Sequence, residues 1–296
     1  MQLRYFAMVA DTENMTESAR RLNVSQSALS AAVSQLEREL GLQLFIRSRH
    51  RGLVLSAAGA QFYREIRVFL EHADQLYDSA RGMAESLTGD LRVGVYSPLA
   101  SFRAPEILNT FEDRHPRVHV TFTEGDLEYL RDELIAGRCE LALMYDIGLD
   151  EGFDSSVIVE TPPHVVVAAG HRLAQEGRQS VSLTELADEP LILLDLPYAR
   201  DYVLGLFEAQ DVTPYIRHRV NGYETVRSFV ASGIGYAVMN QRLPGGWTYA
   251  GQEVAAIPIE GPTRPIRVTV ARPTGVIPTR RSAAFEKVCH DVLGAH

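Results

Sequence analysis

The side chains with the clearest chemical potential lie between residues 25 and 35 and carry hydroxyl or amide groups. They are Ser25, Gln26, Ser27, Ser30, Ser34 and Gln35. Such groups donate and accept hydrogen bonds, as contact with the base edges of the DNA major groove requires. Small polar side chains on one helix face also let that helix approach the groove closely. We therefore expect base and groove contacts here, with an ordinary helical hairpin as the alternative.

An arginine cluster follows this segment. Arg47, Arg49 and Arg51 lie between the apolar runs 42–45 and 53–55. This pattern predicts a β-hairpin with a basic tip, or wing. Beside a helix in the groove, such guanidinium groups are placed to neutralise phosphates, although a solvated hairpin tip has the same composition.

Two short amphipathic helices have to position these groups. Thr16 is predicted to cap the first helix, Asn23 and Val24 to form the turn, and Ser25 to cap the second helix. In the second helix the apolar residues recur at intervals of four, three and four. They are Leu29, Val33, Leu36 and Leu40, and they predict a single buried stripe. The pattern indicates a helix-turn-helix.

Residues 3–59 resemble the winged helix-turn-helix of LysR-type transcriptional regulators. The most specific matches are SQSALS, QLE and LG, followed by LF, Arg47, Arg51 and LSAAG. The sequence departs from the family at Ser27, where proline is usual, and at Ala31 and Ala32, where longer polar residues are common. The resemblance implies a transcriptional regulator controlled by a small-molecule effector. The partners it implies are double-stranded DNA with an inverted-repeat operator, the effector, further copies of the chain and RNA polymerase.

The charge is divided unevenly along the chain. The net charge is −9, yet residues 1–60 hold seven arginines and five acids, giving +2, so the remainder carries −11. A basic head on an acidic body confines phosphate contact to one end of the protein. Because the head is only weakly basic, one copy is expected to bind DNA poorly, and pairing of copies must add contacts.

A heptad pattern without proline runs from Ala57 to about Leu87. Its apolar positions are Phe62, Ile66, Phe69, Ala73, Leu76, Ala80, Met83 and Leu87. A helix of about thirty residues would be roughly 45 Å long. If it projects from the head, its stripe has little to pack on except a second copy, so we expect a homodimer, with packing on the body as the alternative. The resemblance implies the same linker helix and a homotetramer.

The remaining residues alternate strands with helices. Predicted strands cover residues 91–95, 118–123, 141–144, 164–169, 191–194, 216–220, 236–240 and 266–272. This alternation predicts an α/β body with mostly parallel sheets. The fold class is thus α/β with an N-terminal all-α winged helix-turn-helix and a long linker helix. The resemblance implies a two-lobed effector domain similar to type 2 periplasmic binding proteins.

Three domains are predicted. They are a DNA-binding domain at residues 1–60, a linker helix at 61–88 and an effector-binding domain at 89–296. On the resemblance, lobe 1 comprises about 89–160 and 265–296, and lobe 2 about 161–264.

Candidate effector contacts lie in loops at strand ends. They are Tyr96, Ser97, Ser101, Asp126, Tyr145, Asp146, Asp195, Tyr198, Asn221 and Thr225. A helix beginning at Ser97 would attract an anion, although simple helix capping is an equal alternative. Asp126, Asp146 and Asp195 would repel an anion, and the family often has Ser or Thr where Asp126 lies. We therefore expect an effector that carries an amine or other donors, or an organic acid held at Ser97.

Other chemistry has little support. His115 and His119 fall in a segment predicted to be extended, so no metal site is expected there. Cys139 and Cys289 are predicted to be buried thiols, with a redox pair as the alternative. No cofactor is expected. Without a membrane span or signal peptide, we expect a cytoplasmic protein. A transport solute-binding protein would need a signal peptide, and an enzyme would need a nucleophile, base or metal constellation that the sequence does not show.

Overall fold

The computed structural model describes residues 1–48, 52–80, 87–243, 245–261 and 263–294. The N-terminal part, called the head, contains three helices and a two-stranded hairpin. They are α1 (Gln2–Thr12), α2 (Met15–Leu22), α3 (Gln26–Leu40), β1 (Phe45–Ser48) and β2 (Gly52–Leu55), and α4 (Ala57–Ala80) follows them. The strands pair antiparallel, so the winged helix-turn-helix is present.

Short polar residues set the ends of α2 and α3. Asn14 caps α2, because its side chain accepts hydrogen bonds from the backbone N–H groups of Thr16 and Glu17, both at 3.0 Å. The prediction that Thr16 is the cap is therefore wrong. Asn23 ends α2 in the left-handed conformation, and Ser25 caps α3 as predicted.

The head core forms around Phe6. This ring lies 5.3 Å from that of Phe45 and 5.4 Å from that of Phe62, measured between centroids. Leu29, Val33 and Leu36 on α3 are buried against it. Leu40 is 39% exposed, so the buried stripe ends one turn earlier than predicted.

Helix α4 packs on its own chain over its first half. Phe62 and Ile66 belong to the head core, while Phe69 is 58% exposed. The prediction that the seam has little to pack on except a second copy is thus wrong for Phe62 and Ile66. The side chains of Leu76 and Ala80, and the whole of Met83, lie outside the part of the chain that the structure describes.

Lobe 1 is built on a five-stranded sheet of order β4-β3-β5-β12-β6. Its elements are β3 (Gly89–Tyr96), α5 (Ser97–Arg114), β4 (Val118–Gly125), α6 (Leu127–Ile135), β5 (Leu141–Tyr145), β6 (Phe153–Thr161), β12 (Ile266–Pro273) and α10 (Arg280–Leu293). The first three strands pair in parallel, and β12 pairs antiparallel with both neighbours.

Lobe 2 contains a three-stranded sheet of order β10-β7-β11 and a parallel pair β8-β9. Its elements are β7 (His164–Ala168), α7 (Arg172–Gln175), β8 (Pro190–Leu194), α8 (Ala199–Glu208), β9 (Tyr215–Val220), α9 (Tyr223–Ala231), β10 (Ala237–Met239) and β11 (Val254–Pro258). The chain passes between the lobes twice, after β6 and before β12.

The body has more antiparallel pairing than predicted. Four of its seven strand pairings are antiparallel, so the expectation of mostly parallel sheets is wrong. All eight predicted strands exist, but β6 and β11 were missed. Strand β6 has no fully buried residue, and its weak pattern does not distinguish it from a loop. Among the described residues, no helix is both long and apolar enough to cross a bilayer.

Candidate functional site: a helix surface and an interlobe cleft

The polar residues of α3 form an exposed surface on the head. Ser25, Gln26, Ser27, Ser30 and Gln35 are exposed, and Ser34 is half-buried. All six lie on or next to the same helix, with the apolar stripe facing away from them into the core. The structure therefore brings these predicted residues together.

Local hydrogen bonds orient several of these side chains. The hydroxyl oxygens of Ser25 and Ser27 are 3.1 Å apart, and Gln35 Nε2 donates to Glu39 Oε1 at 2.8 Å. Thr16 Oγ1 donates to Gln26 Oε1 at 3.2 Å, which places this exposed residue of α2 beside the α3 surface. The sequence does not mark Thr16 as a surface candidate, because its position suggests a helix cap.

Backbone contacts fix the wing beside α3. Glu37 Oε1 accepts hydrogen bonds from the backbone N–H groups of Leu44 at 2.8 Å and Phe45 at 3.2 Å. Gly59 lies so close to this segment that a Cβ there would be 2.0 Å from the Leu44 carbonyl oxygen. The acid of QLE and the glycine of LSAAG thus position the hairpin.

Arg47 is exposed on β1, opposite Leu53. Arg49 and Arg51, the other predicted phosphate ligands, lie outside the described residues.

On α2, Arg20 and Arg21 bind Glu17 with N–O distances of 2.7 and 2.8 Å. Hydrogen bonds from Arg20 and then Arg21 lower the pKa of the Glu17 carboxyl to about 2. Of the arginines that the structure describes, Arg47 is the one closest in sequence to the tip of the wing.

Tyrosines from both lobes close the floor of the cleft. The rings of Tyr96 and Tyr145, at the ends of β3 and β5, are 5.0 Å apart between centroids. Tyr202 and Tyr223 of lobe 2 complete a cavity of about 20 Å³, room for roughly one water molecule. Tyr96 is fully buried, and its hydroxyl has no hydrogen-bond partner among the described residues.

Burial dominates the chemistry of these phenols. It raises the pKa of Tyr96, Tyr145 and Tyr223 well above the ordinary value, and that of Tyr202 to about 12. The groups remain protonated hydrogen-bond donors at neutral pH. The sequence does not mark Tyr202 and Tyr223 as cleft residues, because both lie within amphipathic helices, where an aromatic residue usually indicates core.

The predicted contacts at the rim of the cleft do not form one compact site. Ser97 is half-buried in the first turn of α5, and Ser101 is exposed one turn later. Asn221 and Thr225 are exposed at the start of α9. The structure therefore does not gather these four residues around the tyrosine cavity.

Tyr198 of lobe 2 packs away from the tyrosine cavity, against lobe 1. It adopts a positive φ of 62° before α8, and its ring lies 5.8 Å from the Arg131 guanidinium. A Cβ at Gly148 would come within 2.7 Å of that ring, so only glycine leaves room for it. Tyr198 thus serves as a contact between the lobes.

Each of the three aspartates has a structural partner. Asp126 caps α6 by accepting from the Tyr129 N–H at 2.8 Å. Asp146 accepts from Arg267 Nε at 2.6 Å, and Asp195 lies 3.3 Å from a guanidinium nitrogen of Arg200. Two of the three acids expected to repel an anion are thus paired with arginine, and the third caps a helix.

Polar contacts join the head and α4 to lobe 1. Arg92 on β3 lies 2.6 Å from Asp11 of α1, and the Tyr63 hydroxyl contacts both side chains. Further along α4, Arg67 pairs with the buried carboxylate of Glu140 at 2.8 Å. No sequence pattern indicates this interface, because its members are far apart in the chain.

The remaining candidates offer no reactive site. Cys139 and Cys289 are buried and unpaired, and burial raises the pKa of Cys139 to about 11. His115 ends α5, and His119 lies in extended β4. Across the residues that the structure describes, no group of three or more His, Cys, Asp or Glu side chains has the arrangement of a metal site.

Comparisons with known proteins cover nearly the whole chain. The family model "Bacterial regulatory helix-turn-helix protein, lysR family" matches residues 1–60, and "LysR substrate binding domain" matches residues 84–294. The chain is 32% identical over 242 residues to the uncharacterized HTH-type transcriptional regulator YnfL of Escherichia coli (strain K12), covering 80% of each protein.

Two crystal structures from Pseudomonas aeruginosa have the same architecture. The LysR family transcriptional regulator HinK is 30% identical, with a TM-score of 0.66, 99% of this chain and 98% of HinK covered. A putative LysR family regulator, the PA01 protein, is 29% identical, with a TM-score of 0.67 and the same coverage. The head, the linker helix and both lobes therefore have counterparts in a single protein.

Proposed function

The chain belongs to the LysR family of DNA-binding transcriptional regulators with an effector-binding domain, and from this premise we propose which of its residues carry recognition. Ser25, Gln26, Ser27, Ser30, Ser34 and Gln35 contact bases and groove. The observation that carries this proposal is the exposed polar face of α3, which stands opposite a fully buried stripe. A helix of this composition fits the major groove.

Phosphate contacts come from the wing. The hairpin holds Arg47 beside α3, and Arg49 and Arg51 follow it in sequence. Phosphate contacts position a protein without selecting a sequence, whereas base contacts select it. The two groups of residues should therefore differ in their effects on binding.

Selection from random duplexes by the full-length protein tests this division. Arg47→Ala should weaken binding to every duplex and reduce the salt slope by about one. Ser27→Ala and Ser30→Ala should alter base preference at one position each, by about 1–3 kcal/mol at most. Ser155→Ala, at an exposed serine of β6, serves as the control. If no duplex is selected at low salt, or if both classes act identically, the proposal is wrong.

Assembly supplies the affinity that one head lacks. Regulators of this family bind operator DNA and effectors as oligomers, and the exposed Phe69 on α4 gives this chain an apolar contact for a second copy. We propose a dimer on an inverted-repeat operator, further pairing to a tetramer, and contact with RNA polymerase. We propose domains at 1–60, 61–88 and 89–296, and a cytoplasmic location because the target is DNA.

The effector is an organic anion. The arginine partners of Asp146 and Asp195 remove the repulsion that favoured an amine. The unpartnered Tyr96 hydroxyl and the first turn of α5 offer donors at the cleft. We expect it to contact Ser97 in the first turn of α5 and the tyrosine floor formed by Tyr96, Tyr145, Tyr202 and Tyr223, after the lobes have opened the 20 Å³ cavity of this structure.

We propose that the cleft binds without catalysing a reaction. The buried tyrosines have raised pKa values, which makes them poor general bases near neutral pH. The aspartates that could act as bases are held by arginines or by a helix N-terminus. Binding can still shift the lobes, since residues from both sides line the cavity.

A further inference from the structure

Tyr198 has a backbone conformation that its own segment does not explain. It precedes α8 with φ 62° and ψ −38°, a combination outside the left-handed helical region. Glu13 and Asn23 also have positive φ, but both lie within that region, where they end α1 and α2. A bulky residue in the conformation of Tyr198 is strained, and such strain persists only where surrounding contacts hold it.

Local structure favours a different residue type at position 198. Glycine adopts a positive φ without strain, and asparagine or aspartate tolerates it better than tyrosine does. Asparagine, aspartate or serine would also cap α8, whereas the Tyr198 side chain makes no capping hydrogen bond. Because tyrosine is unfavourable on both local grounds, the reason for it lies in what its ring contacts.

The Tyr198 ring contacts lobe 1, although the residue belongs to lobe 2. It packs against the hydrophobic core of lobe 1. Gly148 lies directly under the ring, at a φ of 75°, and a Cβ there would come within 2.7 Å of two ring carbons. The Arg131 guanidinium lies 5.8 Å from the ring centroid, and its Nη1 donates to the Tyr198 hydroxyl at 3.5 Å. One side chain of lobe 2 is thus enclosed by two residues of lobe 1.

Lobe 1 holds Arg131 in position for this contact. Arg131 Nη2 donates to Asp150 Oδ2 at 2.5 Å, and Asp150 Oδ1 accepts from the backbone N–H of Gly152 at 2.9 Å. The guanidinium also lies 5.2 Å from the centroid of the Phe153 ring. It is therefore within cation–π distance of one ring from each lobe, and its partial burial strengthens both contacts.

The contact lies away from the crossings between the lobes. Phe153 begins β6, and Thr161, at the first crossing, ends it. A contact at the opposite end of this strand resists separation strongly, because hinged lobes move farthest apart away from the hinge. While the lobes are closed, the tyrosine cavity has a volume of about 20 Å³, so an effector can enter only after they separate.

We infer that Tyr198, Gly148 and Arg131 form an interlobe latch, which holds the lobes closed in the absence of a ligand. The strain at Tyr198 offsets part of the stabilisation that its ring provides. The latch therefore opens without a ligand, and its strength determines how often the cleft is accessible. This role in access rests on the proposed effector binding, whereas the opening of the latch does not require an effector.

Hydrogen exchange of the full-length protein, without DNA or ligand, tests the inference. Tyr198→Ala should accelerate exchange in residues 146–153 of lobe 1 by about fivefold or more, because it removes the ring. Arg131→Gln should accelerate exchange in residues 195–203 of lobe 2 by about threefold or more. Each substitution is thus measured on the opposite lobe.

Two variants serve as matched controls. Tyr198→Phe keeps the ring, so its exchange in residues 146–153 should stay within about twofold of the parent. Tyr249→Ala removes a tyrosine of lobe 2 that is 87% exposed, and it should leave exchange in both segments unchanged. Arg131 lies partly exposed on α6, so Arg131→Gln should fold even if Tyr198→Ala does not.

Several results would overturn the inference. They are parent-like exchange on the opposite lobe in both test variants, acceleration confined to the substituted lobe, or acceleration in Tyr198→Phe equal to that in Tyr198→Ala. Equal acceleration in β5 and β8 would indicate general unfolding and would also overturn it. Operator selection is measured separately, so failure here leaves the proposed function intact, and failure there leaves this measurement unaffected.

Discussion

At the scale of single residues, the partner of a charged side chain decides its effect on the cleft. Asp146 is followed in the sequence by a loop, and nothing nearby in the sequence marks Arg267, which lies on the last strand of the sheet. The strand order brings them to 2.6 Å, and the pair carries little net charge. Counting acids near a strand end therefore overestimated the negative potential of the site.

His164 should make stability depend on pH. Burial, and then the charge of Arg242, lowers the pKa of this imidazole from 6.5 to about 4. The unfolded chain therefore binds a proton between these pH values that the folded chain does not bind. His164 thus destabilises the fold as the pH falls from 6.5 towards 4, by at most about 3 kcal/mol at about 1.4 kcal/mol per pKa unit.

Urea unfolding of His164→Gln from pH 7 to 4 measures this effect. The difference in unfolding free energy between variant and parent should shift in favour of the variant as the pH falls. His119→Gln, at an exposed histidine on β4, should follow the parent curve. An equal pH slope for the parent and both variants would contradict the assigned burial effect.

Side chains whose roles follow from local spacing were the predictable part of the candidate site. Ser25 and its neighbours could be placed on one helix face because a 3.6-residue period fixes that face. Tyr96 and Tyr145 followed from their positions at strand ends. Tyr202 and Tyr223 did not, because their roles depend on how lobe 2 closes against lobe 1.

At the scale of elements, close backbone contacts determine where the wing lies. Gly59, in the first turn of α4, lies against the Leu44 carbonyl oxygen. The Glu37 carboxylate accepts hydrogen bonds from two backbone N–H groups of the same segment. The hairpin is therefore held from both sides, by α3 and by α4. This arrangement gives the small residues of LSAAG a steric role that spacing alone does not reveal.

Gly59→Ala should destabilise the head. The new Cβ would lie 2.0 Å from a backbone oxygen, and relief requires moving either α4 or the segment before β1. We expect a loss of about 2–4 kcal/mol in the free energy of unfolding, within the range of severe overpacking.

The control is Gly205→Ala in α8. Its added Cβ would have no atom within 4 Å, so the variant should be as stable as the parent or more stable by up to about 1 kcal/mol. Chemical denaturation of both variants distinguishes the cases; similar stability of the two would exclude the steric role.

The elements themselves were largely predictable, but their pairing was not. Every strand with a buried apolar run was expected, since such runs are recognisable locally. Strand β6 lacks one, because it lies at the edge of the sheet with no fully buried residue. Strand β12 runs antiparallel to its neighbours because the chain enters it on returning from lobe 2, and no local sequence pattern indicates that return.

At the scale of the whole molecule, α4 is shared between the head and lobe 1. Its Ile66 lies in the head core, whereas Arg67, next in sequence, pairs with Glu140 of lobe 1. The heptad pattern indicated a helix that projects away from the rest of its chain, whereas the described side chains Ile66 and Arg67 contact that chain on two sides. The head and lobe 1 are therefore both in direct contact with α4.

Arg92→Ala should loosen the head from lobe 1 without unfolding either. The substitution removes a guanidinium that contacts Asp11 and Tyr63, but leaves the Arg67–Glu140 pair in place. Loss of one partly exposed charged contact should cost about 1 kcal/mol, which corresponds to roughly fivefold more frequent opening of the interface between the head and lobe 1.

Hydrogen exchange should accelerate by about that factor along the lobe-facing side of α4, and small-angle scattering should show a larger radius of gyration. Arg20→Ala, which removes a guanidinium paired with Glu17 on α2, should change neither measurement. Because Arg92 lies on β3 and not on the α3 surface, affinity for a single operator half-site should stay within about twofold of the parent. Unchanged exchange in Arg92→Ala would mean that the interface does not hold the head in place.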